Sequence, residues 1–456
     1  MKLSIKLMSA IMAVLLAISN VSVALGEDFE ILDFFTGETE AAEEKEYIVY
    51  FNDSVVSLYA EDGKDYALMN EEELSASIDE GIVEFYEENT WVYLYEEEVF
   101  DPKQATYKWD VNMLKADYAF DRGYSGSGVR VAVIDSGCKE TGDLYDNILE
   151  GYNLVDKTTD TSDAVGHGTM VSSQIAAEYN SVGFRGVAPF AKIIPLKIFD
   201  QEKKAKVSLL ADAIKMAVDD FDCDIINMSL GGSNDSETLK AAVKYAASKN
   251  VLMVAASGNN GTSSYSYPAA YPEVIGVGAV DSAKKVCDYS QYNDGVDVCA
   301  PGGSEDKGLI YSLSPSGNDK YLKSKGTSFA APLITGIAAI FRGLDSDFTH
   351  EEFKEIIIEA SVDLGDEGYD VYYGYGLADI EKYLKYYFAP MGDSDVDGKV
   401  TANDAALIVK YIIGSVKDLG KEKAADVNKD GEINLIDAIM VARSADGWEG
   451  YELSYE

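Results

Sequence analysis

The sequence predicts an α/β protein built on a doubly wound parallel sheet, with a small α+β unit before it and a small helical unit after it. Three observations carry this reading. Between about residues 128 and 385, continuous apolar runs ("GVRVAVID", "AKIIPLKIF", "CDIINMSL", "VLMVAAS", "VIGVGAV") alternate with amphipathic stretches such as "SLLADAIKMAVDDF" and "SETLKAAVKYAASKN". Parallel strands covered on both faces need such unbroken runs, and strand–helix alternation winds them into one sheet with ligands at the strands' carboxyl ends. Before this region, residues Glu27 to Asp101 hold 25 acidic side chains and two lysines, so they carry −23 of the chain's formal charge of −42. After it, two acidic loops each precede an apolar helical stretch, "AALIVKYIIG" and "AIMVARSA".

The elements follow in chain order. "MKLSIK" is a basic leader, "LMSAIMAVLLAI" an apolar run too short for a comfortable membrane span, and "SVALG" a small-residue junction. Residues 1–26 are therefore expected to be an export signal, cut after Ala24 or Gly26, leaving no membrane anchor and a secreted, extracellular protein. In the acidic segment, "YIVYF" and "TWVYLY" read as strands flanking a helical "NEEELSASI". An apolar fraction of 47% with 11% aromatics excludes a mainly disordered chain. The excess of 80 acidic over 38 basic residues repels nucleic acid and anionic membranes and attracts cations. Of the four cysteines, Cys138 and Cys223 lie in or beside strand-like runs as buried thiols, while Cys287 and Cys299 form the pair expected to be bridged.

The chain has only two histidines, and one of them, His167, stands between glycines in "DAVGHGTM". "VAVIDSG" ends a buried strand with Asp135, where a doubly wound sheet opens its crevice. "SKGTSFAAPLITGIAAI" sets Ser328 at the start of an apolar helix. An Asp that orients a His, which takes the proton of a Ser hydroxyl, is a nucleophile system for attack on a carbonyl.

Together "AVIDSG", "GHGT" and "GTSFAAP" resemble the subtilisin-like serine peptidases, the subtilase family, over about residues 105 to 386. The resemblance implies a serine endopeptidase acting on protein or peptide substrates with Asp135, His167 and Ser328 as triad. In "AASGNNG" it implies Asn259 as side-chain donor to the oxyanion, and in "INMSLGG" it implies Ser229, Leu230 and Gly231 as the strand that pairs with substrate backbone. Ser266, Tyr267 and Asn260 are implied at the base or rim of the specificity pocket. Asp143, Asn180 and carbonyls near Val182 are implied as a calcium loop, although "CKETGDL" is one residue shorter than the family's usual segment. The acidic unit, residues 27–104, is then an inhibitory prodomain, released near residues 100 to 106, and the peptidase domain spans 105–387.

The last part, 388–456, carries its own signal. "DSDVDGKVTAND" and "DVNKDGEINLID" match a calcium loop with oxygen ligands at positions one, three, five and twelve and a glycine at the sharp turn. Asp393, Asp395, Asp397 and Asp404 form one set; Asp426, Asn428, Asp430 and Asp437 form the other. Lys399 and Glu432 occupy the seventh position, where such loops offer a backbone carbonyl. A duplicated half-hand with Asp at position twelve resembles a dockerin module, which implies a cohesin domain of an extracellular scaffold as partner. Its two helices are expected to pack through Leu407, Ile408, Ile412, Ile439 and Met440. Three classes of function stand open on these residues: an active secreted peptidase tethered to a scaffold, a silent binding component, and a calcium-dependent adaptor or tail.

Overall fold

A computed structural model describes residues 45–51, 64, 66–80, 82–94, 108–179, 185–316, 321–417, 419–448, 450, 451 and 453. The expected export signal and the expected processing site at residues 100–106 lie outside the described residues, as do Asn180 and Val182. The chain divides into two compact units between Phe85 and Tyr86.

In the first unit, β1 (Glu46–Phe51) and β2 (Tyr66–Asn70) pair antiparallel, and α1 (Glu71–Asp79) follows directly. Asn70 caps α1: its side chain accepts from the backbone of Glu72 and Glu73, and Glu73 returns the bond to the Asn70 N–H. Val49, Phe51 and Leu74 form the small core between strand and helix. The next strand, β3 (Val83–Glu88), completes a sheet of order β2-β1-β3.

The second unit opens with β4 (Trp91–Leu94), then α2 (Trp109–Met113) and α3 (Ala116–Phe120). Its centre is a parallel sheet of seven strands: β5 (Arg130–Asp135), β6 (Tyr152–Asn153), β7 (Lys192–Lys197), β9 (Ile225–Met228), β11 (Leu252–Ala256), β12 (Ile275–Val280) and β13 (Val298–Pro301). Between β7 and β9 the chain also forms the short β8 (Lys204–Lys206), and just past β9 the short β10 (Leu230–Gly231). The sheet order is β13-β12-β11-β9-β5-β7-β6, so the chain winds to one side of β5 and then to the other. This is the doubly wound arrangement that the apolar runs predict. Every residue of β9, β11 and β12 is buried, because helices α4 (His167–Ala176), α5 (Val207–Asp219) and α6 (Glu237–Ser248) and the central α7 (Thr327–Leu344) cover the strands. Helix α7 is long and apolar enough to cross a membrane by length and composition, but 89% of it is buried inside the domain. A hairpin, β14 (Ile310–Leu313) and β15 (Tyr321–Ser324), precedes it; α8 (His350–Ala360) and α9 (Ile380–Phe388) follow.

All four cysteines are free, buried thiols, so the expected Cys287–Cys299 bridge is not formed. Their sulfurs turn to different carbonyls, Cys287 to Gly303 at 3.2 Å and Cys299 to Tyr372 at 3.5 Å. Burial pushes the Cys287 and Cys138 thiols up to about 12.

The tail is helical: α10 (Ala402–Ile412), α11 (Glu422–Ala425) and α12 (Leu435–Ala445). Ala405 and Ile408 meet Ala438 and Val441 in its core, with Leu407 and Met440 at the edge. Ile412 and Ile439 are exposed, contrary to the expected packing set. Ile439 follows buried Ala438 and so points about 100° round the helix, and Ile412 ends its helix. Lys421 binds the tail to the end of α9, its ammonium donating to the Tyr386 carbonyl at 2.8 Å.

Candidate active site

Asp135 is the last residue of β5 and is fully buried, at the switch point where the chain changes sides of the sheet. His167 is the first residue of α4, and its Nδ1 lies 2.9 Å from both Asp135 carboxylate oxygens. The flanking glycine is dictated by crowding: a Cβ at Gly168 would stand 2.0 Å from the Gly137 carbonyl. Ser328 is the second residue of α7 and is also buried. Its Oγ donates to the Ser229 carbonyl at 3.1 Å, and Ser229 Oγ returns a bond to the Ser328 carbonyl at 2.9 Å. The Phe329 ring, next in chain to Ser328, tilts against the His167 ring at 6.1 Å between centroids. Asp135 and His167, 32 positions apart in sequence, are thus in direct contact, and the residue that follows Ser328 lies against the His167 ring.

Asn259 sits just past β11, half-buried, and its Oδ1 accepts from the Thr327 N–H at 2.9 Å and the Thr327 hydroxyl at 2.8 Å. Pinning the amide oxygen in this way fixes the direction in which the amide N–H groups point. Ser266 is buried and Asn260 exposed, while Tyr267 exchanges two backbone hydrogen bonds with Gly232 at the end of β10.

Leu230 and Gly231, the residues expected to align substrate, are already paired. The chain's own β4 lies antiparallel to β10, with Leu230 opposite Leu94 and Gly231 opposite Tyr93. On its other side β4 pairs with β8. Glu87, just before β4, accepts from Ser236 Oγ and from the backbone N–H groups of Glu237 and Thr238, each at 2.9 Å, so it caps α6.

Asp163 is a site residue the motif reading passed over. It is buried, and it accepts four hydrogen bonds: Gly166 N–H (2.7 Å), Ser136 Oγ (2.9 Å), Thr169 N–H (2.9 Å) and Thr169 Oγ1 (2.7 Å). Ser136 Oγ in turn accepts from the Gly168 N–H at 3.0 Å. This carboxylate ties the start of α4 to the end of β5, so it fixes both ends of the Asp135–His167 contact. Burial raises its pKa, and the hydrogen bonds from Thr169 and Gly166 oppose that rise. An Asp four residues before the His, at a helix start, was the available signal.

In the tail, Asp393, Asp395 and Asp397 each offer an oxygen, all within 4.8 Å of one another. Burial pushes the Asp393 carboxyl up to about 6, with Asp404 and Asp395 adding to the rise. The two loops repeat one scaffold: Gly398 N–H donates to Asp393 and Gly431 N–H to Asp426, both at 2.9 Å, with both glycines at positive φ. Asp404 and Asp437 are buried and cap α10 and α12, while their other oxygens face back to the loops through the N–H groups of Asp395 and Asn428. Asp430 N–H donates to Asn428, and Lys399 and Glu432 N–H groups donate to Asp397 and Asp430. In the peptidase part, Asp143 is buried in the short turn Gly142–Asn147.

Comparison with known proteins decides the family. The family model described as the subtilase family matches residues 126–376. The chain belongs to the subtilase family. It is a serine endopeptidase of the subtilisin kind, and a silent binding component is set aside. It is 34% identical to M-protease of Shouchella clausii over 349 residues, covering 75% of this chain and 88% of that one. It is 36% identical to subtilisin BL of Lederbergia lenta over 273 residues, 60% of this chain and 97% of the relative. Subtilisin E of Bacillus subtilis is 32% identical over 361 residues, 75% and 91% respectively. Residues 391–444 match the dockerin type I domain, so this subtilase carries a dockerin.

Proposed function

We propose that this subtilase is a secreted endopeptidase whose Asp135, His167 and Ser328 form the catalytic triad, and whose dockerin binds calcium and tethers it to a cohesin. The single observation that carries the catalytic part is the buried Asp135–His167 contact at 2.9 Å beside Ser328 on the first turn of α7. Asp135 holds the proton on Nδ1 and so leaves Nε2 as the basic nitrogen. His167 takes the Ser328 proton as Oγ turns from the Ser229 carbonyl to attack the substrate carbonyl. The resulting oxyanion meets the Asn259 amide N–H and the N-terminal dipole of α7. His167 then returns the proton to the leaving amine, and water repeats the sequence on the acyl-enzyme.

Substrate is expected to lie where β4 lies. In that register the substrate residue after the Leu94 position falls opposite Ser229, whose carbonyl receives the Ser328 hydroxyl. Its carbonyl is the one attacked. In the sequence the residue after Leu94 is Tyr95, so a substrate bound in this register with the chain's own sequence would be cut at Tyr95–Glu96, upstream of the 100–106 expected from sequence. Purified wild-type protein should mature with Glu96 as its new N-terminus, and Ser328→Ala should stay uncut. An N-terminus between residues 101 and 107 would restore the sequence expectation, and equal processing of the two would remove autocatalysis.

Calcium is supported by the donor set: carboxylates brought together around one point, one of them buried, which a hard divalent cation with oxygen ligands would satisfy. Asp393, Asp395, Asp397 and Asp404 would hold one ion, and Asp426, Asn428, Asp430 and Asp437 the other, with the Lys399 and Glu432 carbonyls completing each. The exposed apolar side chains Leu435 and Ile436 on the first turn of α12 favour docking over an unpartnered tail. Cohesin pull-down with and without chelator tests this; binding indifferent to chelator would remove it.

A further inference from the structure

The strand that flanks β4 opposite β10 is basic. β8 reads Lys204-Ala205-Lys206 and follows Lys203, in a chain whose formal charge is −42. Its register with β4 sets Trp91 opposite Lys206, Val92 opposite Ala205 and Tyr93 opposite Lys204. Side chains alternate along β4: Val92 and Leu94 are buried, whereas Tyr93 is exposed and Trp91 half-buried on the other face. Over the Trp91 ring stand two ammonium groups, Lys206 Nζ at 3.9 Å and Lys204 Nζ at 4.5 Å from its centroid. Lys206 Nζ is further held by the Asn89 carbonyl at 3.1 Å, and Lys204 Nζ lies 3.7 Å from Glu202.

We propose that Lys204 and Lys206 form a cationic subsite that reads the substrate side chain at the Trp91 position, four residues before the one whose carbonyl is attacked. The proposal rests on the reading that substrate replaces β4. A flat π face is attracted to both ammonium groups. A carboxylate there would pair with them, and a lysine or arginine would be repelled. The subsite lies remote from the reacting bond, so its effect falls on KM more than on kcat. The enzyme thus favours acidic or aromatic residues upstream of an apolar-x-apolar stretch.

The test uses processed full-length enzyme and peptides of the pattern X-Val-Tyr-Leu-Tyr ahead of a chromogenic leaving group, with X as Trp, Glu, Ala or Lys. Trp and Glu should exceed Ala by about three- to tenfold in kcat/KM, the scale of one or two exposed cation–π contacts, and Lys should fall below Ala. Lys204→Ala with Lys206→Ala should level the series, and Lys206→Glu should reverse the order of Glu and Lys. The Glu preference should weaken in 1 M salt more than the Trp preference, because only the former is a pair of full charges. Hydrolysis after the final Tyr with no dependence on X would overturn the subsite and leave the substrate register intact. Cleavage at another bond would overturn the register itself.

Discussion

The cleft and the dockerin both gather carboxylates, and they do so with opposite consequences. At the cleft, Asp135 and Asp163 are buried, and each is met by protein donors: His167 and the Ser136 N–H for one, Ser136, Gly166 and Thr169 for the other. In the first tail loop, three aspartates turn oxygens toward one another within 4.8 Å. The first arrangement is complete with the chain's own groups, which is what a site prepared for the transition state requires. The second gathers like charge that a bound cation would offset, beyond what the backbone donors of Asp397, Gly398 and Lys399 supply. Burial of acid alone therefore does not say what a site does; the donors around it do.

The comparison can be broken first at the cleft. Ser328→Ala should lower turnover of a peptide substrate by about 10⁶-fold, the scale that subtilisin's own nucleophile sets, with the circular dichroism spectrum unchanged. Asn259→Ala should cost about 10²–10³-fold, chiefly in kcat, the reference again being subtilisin's own oxyanion donor. Asp163→Ala should act on stability: removing a helix cap costs about 0.5–2 kcal/mol, and stranding the buried Ser136 and Thr169 donors costs about 1–3 kcal/mol each. A fall in melting temperature, partly recovered in Asp163→Asn, checks this. The tail sharpens the contrast from the other side. Calorimetry should count two fewer calcium ions for a chain ending at residue 387 than for the full chain. Turnover of small peptides by the two processed enzymes should agree within about twofold, since every group placed at the cleft lies before that end.

Much of this could be read from the sequence, for identifiable reasons. Buried parallel strands announce themselves as apolar runs, and Asp135, His167 and Ser328 each sit in a short motif whose neighbours are dictated locally, as Gly168 is by the Gly137 carbonyl. The calcium loops are likewise local, each contained in twelve residues. Pairings across long sequence distances were not legible. Nothing in "YEENTWVYLY" says that Glu87 caps a helix starting 150 residues later, or that Trp91 lies under Lys206. The thiols failed for the same reason: nearness of Cys287 and Cys299 in sequence says nothing of the carbonyls to which their sulfurs turn. Helix faces were legible only to within one residue, as exposed Ile439 beside buried Ala438 illustrates.

The claim that Asp135 and His167 prepare Ser328 as nucleophile is tested most directly by a fluorophosphonate probe on the processed enzyme, with the adduct located by mass spectrometry. Wild-type protein should carry one adduct, on Ser328, formed rapidly. His167→Ala should keep the serine and lose the rate, and Ser328→Ala should take up none. An adduct on another residue, or labelling of Ser328 at the same rate without His167, would contradict the account.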